Sequence, residues 1–342
     1  MQTSDLRQQV RSALPEFCWS QWVQMGVSGA VTRRDRWAVD PEALLLFTLT
    51  VARRDPRLFD EVLDWLRLNG KLLSVQRLKN LARAEAEDRR LVAAALAWAG
   101  THNPALRLWA SEISPAYEGK MEVLFRTDGE GLFAGEGDDR FLARGFSRPR
   151  AEPSFKSQAP DPSAPINFVF RLRLLFGIGT RSEVVRYLLT TEHPEASTQQ
   201  VAEAAGFAKR NVGESLAALA EAGALEARWR GNELVYRTDR RRWANLLGGG
   251  IGGLPDFVDW IHLFRALLAI ARWLDEDAAS ERSEYLRSSE ARQLVDRIRP
   301  DLLAAGVPVP DERGAHGPAF WPVFERTVEA TLRRLRPSPL GG

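Results

Sequence analysis

Cysteine is almost missing from this chain: Cys18 is the only one in 342 residues. An internal disulfide and a cysteine-based zinc site within the chain are therefore excluded. Histidine is nearly as scarce. His102, His193, His262 and His316 lie far apart in the sequence, so each reads as a packed or surface histidine, and neither a metal nor a cofactor is expected. No stretch of about 18 residues is free of charge, which argues against a membrane-spanning helix. The opening MQTSDLRQQVRSALPEF lacks a basic run followed by an apolar one, so no signal peptide is expected. Lysine is rare beside arginine, and the Arg, Ala and Leu bias points to a GC-rich bacterial genome. A cytoplasmic bacterial protein with no membrane partner is the expectation. An excess of one charge is also absent. The 47 basic residues nearly cancel the 45 acidic ones, leaving a net charge of +2. Any nucleic-acid site must come from local clustering of charge.

What is present is an ordinary globular balance, 44% apolar and 27% charged. The length allows two or three domains. Four stretches differ in character. Residues 1–115 read as a helical N-terminal domain. Asp40 is placed to cap a helix that Pro41 begins. Leu58, Phe59, Val62, Leu63 and Leu66 form a stripe of 3.6 period, and Asn69-Gly70 ends that helix. Ser74 can cap the next helix, and Gly100 closes a further one. Residues 116–165 carry short apolar runs around 120–145, read as small β elements, then a Pro- and Ser-rich linker or extended strap. Residues 166–247 form the central part. Residues 254–338 hold three helical patterns rich in tryptophan (Trp260, Trp273, Trp321), which read as core first and dimerisation second.

The central part contains STQQVAEAAGFAKRNVGESLAALAEAGAL, two short helical patterns broken by one glycine. Ser197 or Thr198 caps the first, with Val201, Ala202 and Ala205 inward. Gly206 permits a left-handed turn. Phe207 plugs the corner, and Val212, Leu216 and Leu219 bury the second helix. Ala202 stands four residues before the glycine, where two crossing helices leave no room. Lys209, Arg210, Asn211, Gly213 and Glu214 are left on the outer face. Lysine and arginine at a helix N-terminus oppose the helix dipole, unless phosphates or guanines wait outside. Candidate strands Leu225–Trp229 and Leu234–Thr238 follow, joined by the tight turn RGNE.

This order of three helices and a hairpin over Thr180–Leu247 resembles an ArsR/MarR-type winged helix-turn-helix domain. The resemblance covers about a fifth of the chain. It implies a mainly α protein with a central winged helix-turn-helix and a short β-hairpin wing. It implies sequence-specific binding of double-stranded DNA, as in a bacterial transcriptional regulator. The DNA-binding residues would be Lys209, Arg210, Asn211, Gly213 and Glu214 on the recognition helix. Arg228, Arg230 and Asn232 on the wing and Arg240, Arg241 and Arg242 beyond it would join them. A homodimer is expected, because one helix-turn-helix contacts too few base pairs for high specificity. Residues 205–247 hold 8 basic against 5 acidic side chains, a modest concentration of positive charge.

Other readings stand beside this one. The domain can instead be an antitoxin-like scaffold that binds a partner protein. A weaker alternative is an enzyme using the acidic, glycine-rich segment 128–139, with Asp128, Glu130, Glu136, Asp138 and Asp139. No nucleophile–base arrangement supports it, so no catalytic residue is assigned and no enzyme is expected. GGGIGG (Gly248–Gly253) matches a dinucleotide-binding glycine pattern, but it lacks the strand–turn–helix context and reads as a hinge. The stretch around Arg77, Lys79 and Arg83 can be drawn as a second, degenerate helix-turn-helix with those residues exposed. Plain helical packing is the better reading.

Overall fold

The computed structural model describes residues 3–30, 34–84, 86–101, 103–126, 137–247, 253–278, 282–310 and 314–336. It is mainly helical, with fifteen α-helices and two small sheets among the described residues. The chain forms two compact units. One is Trp19–Val258, and the other joins Met1–Cys18 to Asp259–Gly342. The division differs from the four-part reading of the sequence, because the first eighteen residues go with the C-terminal helices.

In the larger unit, local signals start the helices where the sequence puts them. Helix α2 (Pro41–Val51) begins at Asp40, whose carboxylate accepts from the Ala43 amide at 3.0 Å. Helix α3 (Pro56–Asn69) is capped in the same way by Asp55, and α4 (Val75–Leu81) by Ser74. Helices α5 (Ala86–Ala99) and α6 (Pro104–Ile113) complete the N-terminal layer. Trp22 meets Trp65 edge to face at 5.0 Å in its core, where Leu44, Leu63, Leu66 and Leu96 are fully buried. Gly70 follows α3 but stays in a right-handed conformation and enters a short 3-10 turn. A glycine is needed there for room, since a Cβ would stand 2.6 Å from Leu106 Cδ1.

Strands β1 (Glu122–Val123) and β2 (Phe146–Ser147) pair in parallel, and α7 (Asp139–Leu142) lies between them in the chain. The Pro- and Ser-rich stretch that follows is a fastened strap rather than a free linker. Asp64 accepts from the amides of Phe155 and Ser157, each at 3.1 Å. Asn69 donates to the Gln158 carbonyl, and the Gln158 amide donates to the Gly26 carbonyl. Buried backbone groups need partners, and these side chains supply them.

Helix α8 (Phe168–Phe176) ends at Gly177, with φ 78°, and α9 (Thr180–Thr190) follows. Next come β3 (Ala196–Ser197), α10 (Thr198–Ala205), α11 (Lys209–Glu221), β4 (Glu226–Arg230), β5 (Glu233–Arg237) and α12 (Arg240–Leu246). The three strands form an antiparallel sheet in the order β3-β5-β4. The observed hairpin strands sit within one residue of the expected ones. Strand β3 was not expected; it is two residues long and exists through its pairing with β5. One apolar cluster joins these elements, including Val184, Leu188, Val201, Val212, Leu216 and Tyr236.

The smaller unit packs residues 3–18 of α1 (Thr3–Gln24) with α13 (Trp260–Ala278), α14 (Glu284–Ala304) and α15 (Trp321–Arg333). Phe17 lies 5.5 Å from the Trp260 ring, and Trp273 lies 5.1 Å from Phe324. Trp260 and Trp273 are buried, in keeping with their reading as core. His262 sits between Asp259, at 2.8 Å, and Asp301, at 4.0 Å. The hydrogen bond to Asp259, then the charges of Asp259 and Asp301, raise His262 above its ordinary 6.5, against the effect of burial and of Arg265. A raised histidine adds stability that is fully present below 6.5 and lost as pH rises through the folded value. Denaturation measured below 6.5 and well above it should therefore show the smaller unit weaker at the higher pH. His262→Gln should remove that dependence, and a pH response unchanged by this substitution would refute the assignment.

Candidate nucleic-acid interface

The corner of the central part forms from local chemistry. Ser197 Oγ accepts from the Gln200 amide, while Gln200 Oε1 accepts from the Ser197 amide at 2.9 Å. This reciprocal capping box fixes the start of α10. Its end is Gly206, at φ 67° and ψ 29°, the left-handed conformation expected from the sequence. Phe207 and Ala202 are buried at the corner. Beyond it, α11 turns Val212, Leu216 and Leu219 inward. Its outer face carries Lys209, Arg210, Asn211, Glu214 and Ala217, all exposed, while Gly213 is half-buried.

The exposed charges are more paired than the sequence suggests. Arg210 Nε donates to Glu214 at 3.0 Å, one helical turn on. On the hairpin, Arg228 pairs with Glu195, Arg230 with Glu233 at 3.5 Å, and Arg237 with Glu226 at 3.3 Å. Lys209, Arg241 and Arg242 make no ion pair among the described residues. Asn232 sits exposed at the hairpin turn beside Gly231, whose φ is 62°. Asp239 caps α12 by accepting from the Arg241 and Arg242 amides, so their side chains project from its first turn. Arg240 is half-buried. Exposed pairs of this kind contribute about 0–1 kcal/mol each, little enough for a phosphate to displace the carboxylate.

Beneath this surface lies a feature the sequence reading missed. Asp40, Glu42, Arg77, Arg173, Glu183 and Arg186 form one buried ionic network. Arg77 Nη1 donates to Asp40 at 2.8 Å and to Glu42 at 2.7 Å, and its Nη2 also bonds Asp40. Arg173 bonds Glu42 and Glu183 at 2.8 Å, and Arg186 bonds Glu183 at 2.8 Å. Three guanidinium groups face three carboxylates, so the network carries no net charge. It also caps the corner between α10 and α11: Arg77 Nε donates to the Ala205 carbonyl at 2.7 Å, and Arg186 to that of Ala204 at 3.2 Å. Asn80 donates to the Gly206 carbonyl at 3.0 Å. The last carbonyls of α10, which have no partner within the helix, are thus held by side chains from α4 and α9. Arg77 is fully buried, which rules out the exposed face of a second helix-turn-helix in that stretch.

Burial alone would raise Asp40 and Glu183. The charge of Arg77, joined by Arg186 for Asp40 and by Arg173 and Arg186 for Glu183, outweighs it and holds both well below the ordinary carboxylate range. Burial likewise disfavours the charged Arg77 and Arg173, but their carboxylate partners raise both. A signal was present in the sequence. Arg77 stands on the same helical stripe as Ser74, Leu78 and Leu81, and Glu183 and Arg186 are three apart among the inward Val184, Val185, Leu188 and Leu189 of α9.

The acidic segment offers less. Asp128, Glu130 and Glu136 lie outside the described residues. Asp138 caps α7, and its carboxylate takes two bonds from Arg140, at 2.8 and 2.7 Å. Asp139 is the first residue of α7. No cluster of three or more His, Cys, Asp or Glu suited to a metal occurs among the described residues. None of the described helices is long and apolar enough to cross a membrane. Most of the Gly248–Gly253 stretch is outside the described residues. Comparison with family models, curated proteins and solved structures returns no match for the chain.

Proposed function

We propose that Thr180–Leu247 is a winged helix-turn-helix that binds double-stranded DNA in a sequence-specific way, and that the protein is a bacterial transcriptional regulator acting as a dimer. The observation that carries this reading is the left-handed Gly206 corner between α10 and α11. It leaves one face of α11 in the apolar cluster and the other, with Lys209, Arg210 and Asn211, bare. The β4–β5 hairpin supplies the wing, and α12 offers Arg241 and Arg242. A helix with one bare polar face can enter the major groove, where arginine pairs with guanine through two hydrogen bonds.

A second reading has its own support. Arg210, Arg228, Arg230 and Arg237 each already face a glutamate. A surface that is nearly neutral suits a partner protein, as in an antitoxin-like scaffold, better than it suits a polyanion.

One experiment separates the two. Duplexes selected from a random pool by the full chain are titrated against the parent and Arg210→Ala. The substitution should weaken specific binding by about 1–3 kcal/mol, as for one base-reading arginine. Arg210 is 87% exposed, so the variant should fold as the parent does. Equal affinity of both proteins for the selected duplex would take α11 out of the interface. A parent chain that selects no duplex would favour the partner-protein reading.

A further inference from the structure

The β4–β5 hairpin has two unlike faces. Cross-strand partners share a face, and successive residues alternate. One face therefore carries Glu226, Arg228, Arg230, Glu233, Val235 and Arg237, with Arg230 opposite Glu233, Glu226 opposite Arg237 and Arg228 opposite the buried Val235. Its three arginines are all in ion pairs. The other face carries Ala227 opposite Tyr236 and Trp229 opposite Leu234. Tyr236 lies in the apolar cluster, and Leu234 is half-covered by it. Trp229, on the outer strand, is 71% exposed. Strand β4 is the edge of the sheet, so Trp229 has a cross-strand neighbour on one side only. Among the described residues it has no hydrogen bond, ring contact or cation contact.

We infer that Trp229 is the wing's principal contact with DNA, an indole that wedges into the minor groove against a base step. This rests on the reading of Thr180–Leu247 as a DNA-binding module. An indole is the largest apolar surface a side chain can bring to an interface. Apolar side chains of other kinds enter the minor groove, part base steps and bend the duplex. The unpaired cations of the same module, Lys209, Arg241 and Arg242, supply the attraction to phosphate that a neutral wedge lacks. The step it meets should be an easily unstacked pyrimidine–purine step.

The test uses the full chain on duplexes that it selects from a random pool. Trp229→Ala, Trp229→Phe and Arg210→Ala are compared with the parent for affinity, salt dependence and bending in a circular-permutation gel. Trp229→Ala should lose about ten- to a hundredfold in affinity, the scale of one lost stacking contact. Its salt slope should match the parent's, since no charge is removed, and the bend should shrink. Trp229→Phe should keep most of both. The side chain is exposed, so the thermal melt of each variant should match the parent's. Parental affinity and bend in Trp229→Ala, with binding weakened in Arg210→Ala, would overturn this inference and leave the DNA-binding reading standing. A parent chain that retains no duplex would bring down both.

Discussion

Replacing Arg77 by Met should destabilise the larger unit by about 3–5 kcal/mol, the cost of breaking a buried ion pair from one side. Methionine fills much of the volume but leaves Asp40 and Glu42 facing each other without their shared guanidinium. Glu183, 3.9 Å from Arg77, loses part of its countercharge as well. The Ala205 carbonyl loses its donor. The network is out of water, so added salt should not mask the loss, as it would for a surface pair. Unfolding in urea, followed by near-ultraviolet circular dichroism, measures the effect.

Partial rescue identifies the cause. Adding Asp40→Asn to Arg77→Met removes one stranded charge, and the pair should be less destabilised than the sum of the single changes by about 0.5–3 kcal/mol. The pH dependence gives a second check. Asp40 and Glu183 have folded values held below their ordinary 3.8 and 4.5. Their contribution is present above those ordinary values and lost as pH falls through the folded ones. The parent should therefore lose stability steeply in acid, and Arg77→Met should lose it less steeply. Strict additivity together with an unchanged acid slope would mean that Arg77 acts only by filling space.

How far the sequence foretells all this depends on how far apart the partners are. Asp40 with Pro41, Ser74, Ser197 with Gln200, and Gly206 act within one helical turn, and each stands where its spacing puts it. The hairpin was legible because its turn is local. The ionic network was not, since Arg77 reaches Asp40 and Glu42 across 37 and 35 positions and the Ala205 carbonyl across 128. Asp40 reads as a cap alone until Arg77 is seen to share its carboxylate. The strap shows the same limit: its composition suggests a linker or an extended strap, and only Asp64, about 90 positions earlier, shows what holds it. On the α11 surface, the Arg210–Glu214 pair was readable from its spacing of four. The Arg228–Glu195 pair joins a strand to a loop that only the fold brings near. Exposure of Trp229 is likewise a tertiary fact, because an aromatic in a strand more often faces a core.

The corner itself should fail in a way that links this network to DNA binding. Gly206 stands at φ 67°, where a β-branched side chain costs about 1–2 kcal/mol or more. Ala202 is buried where α10 meets α11. Ala202→Leu should overpack that crossing by about 1–3 kcal/mol, and Gly206→Val should strain the turn by a comparable amount. Both residues lie beside carbonyls held by Arg77, Asn80 and Arg186. Displacing the turn therefore pulls on α4 and α9, and the strain is not confined to a surface loop. Limited proteolysis should cut first within residues 198–221, with cleavage of residues 34–81 appearing later. Affinity for a selected duplex should fall in step with the early cleavage. Gly206→Asn is the useful control, because asparagine tolerates the left-handed region and should retain most of both properties. If Ala202→Leu and Gly206→Val keep the parent's protease resistance and its DNA affinity, α10 and α11 do not form the recognition corner, and the resemblance to a helix-turn-helix is accidental.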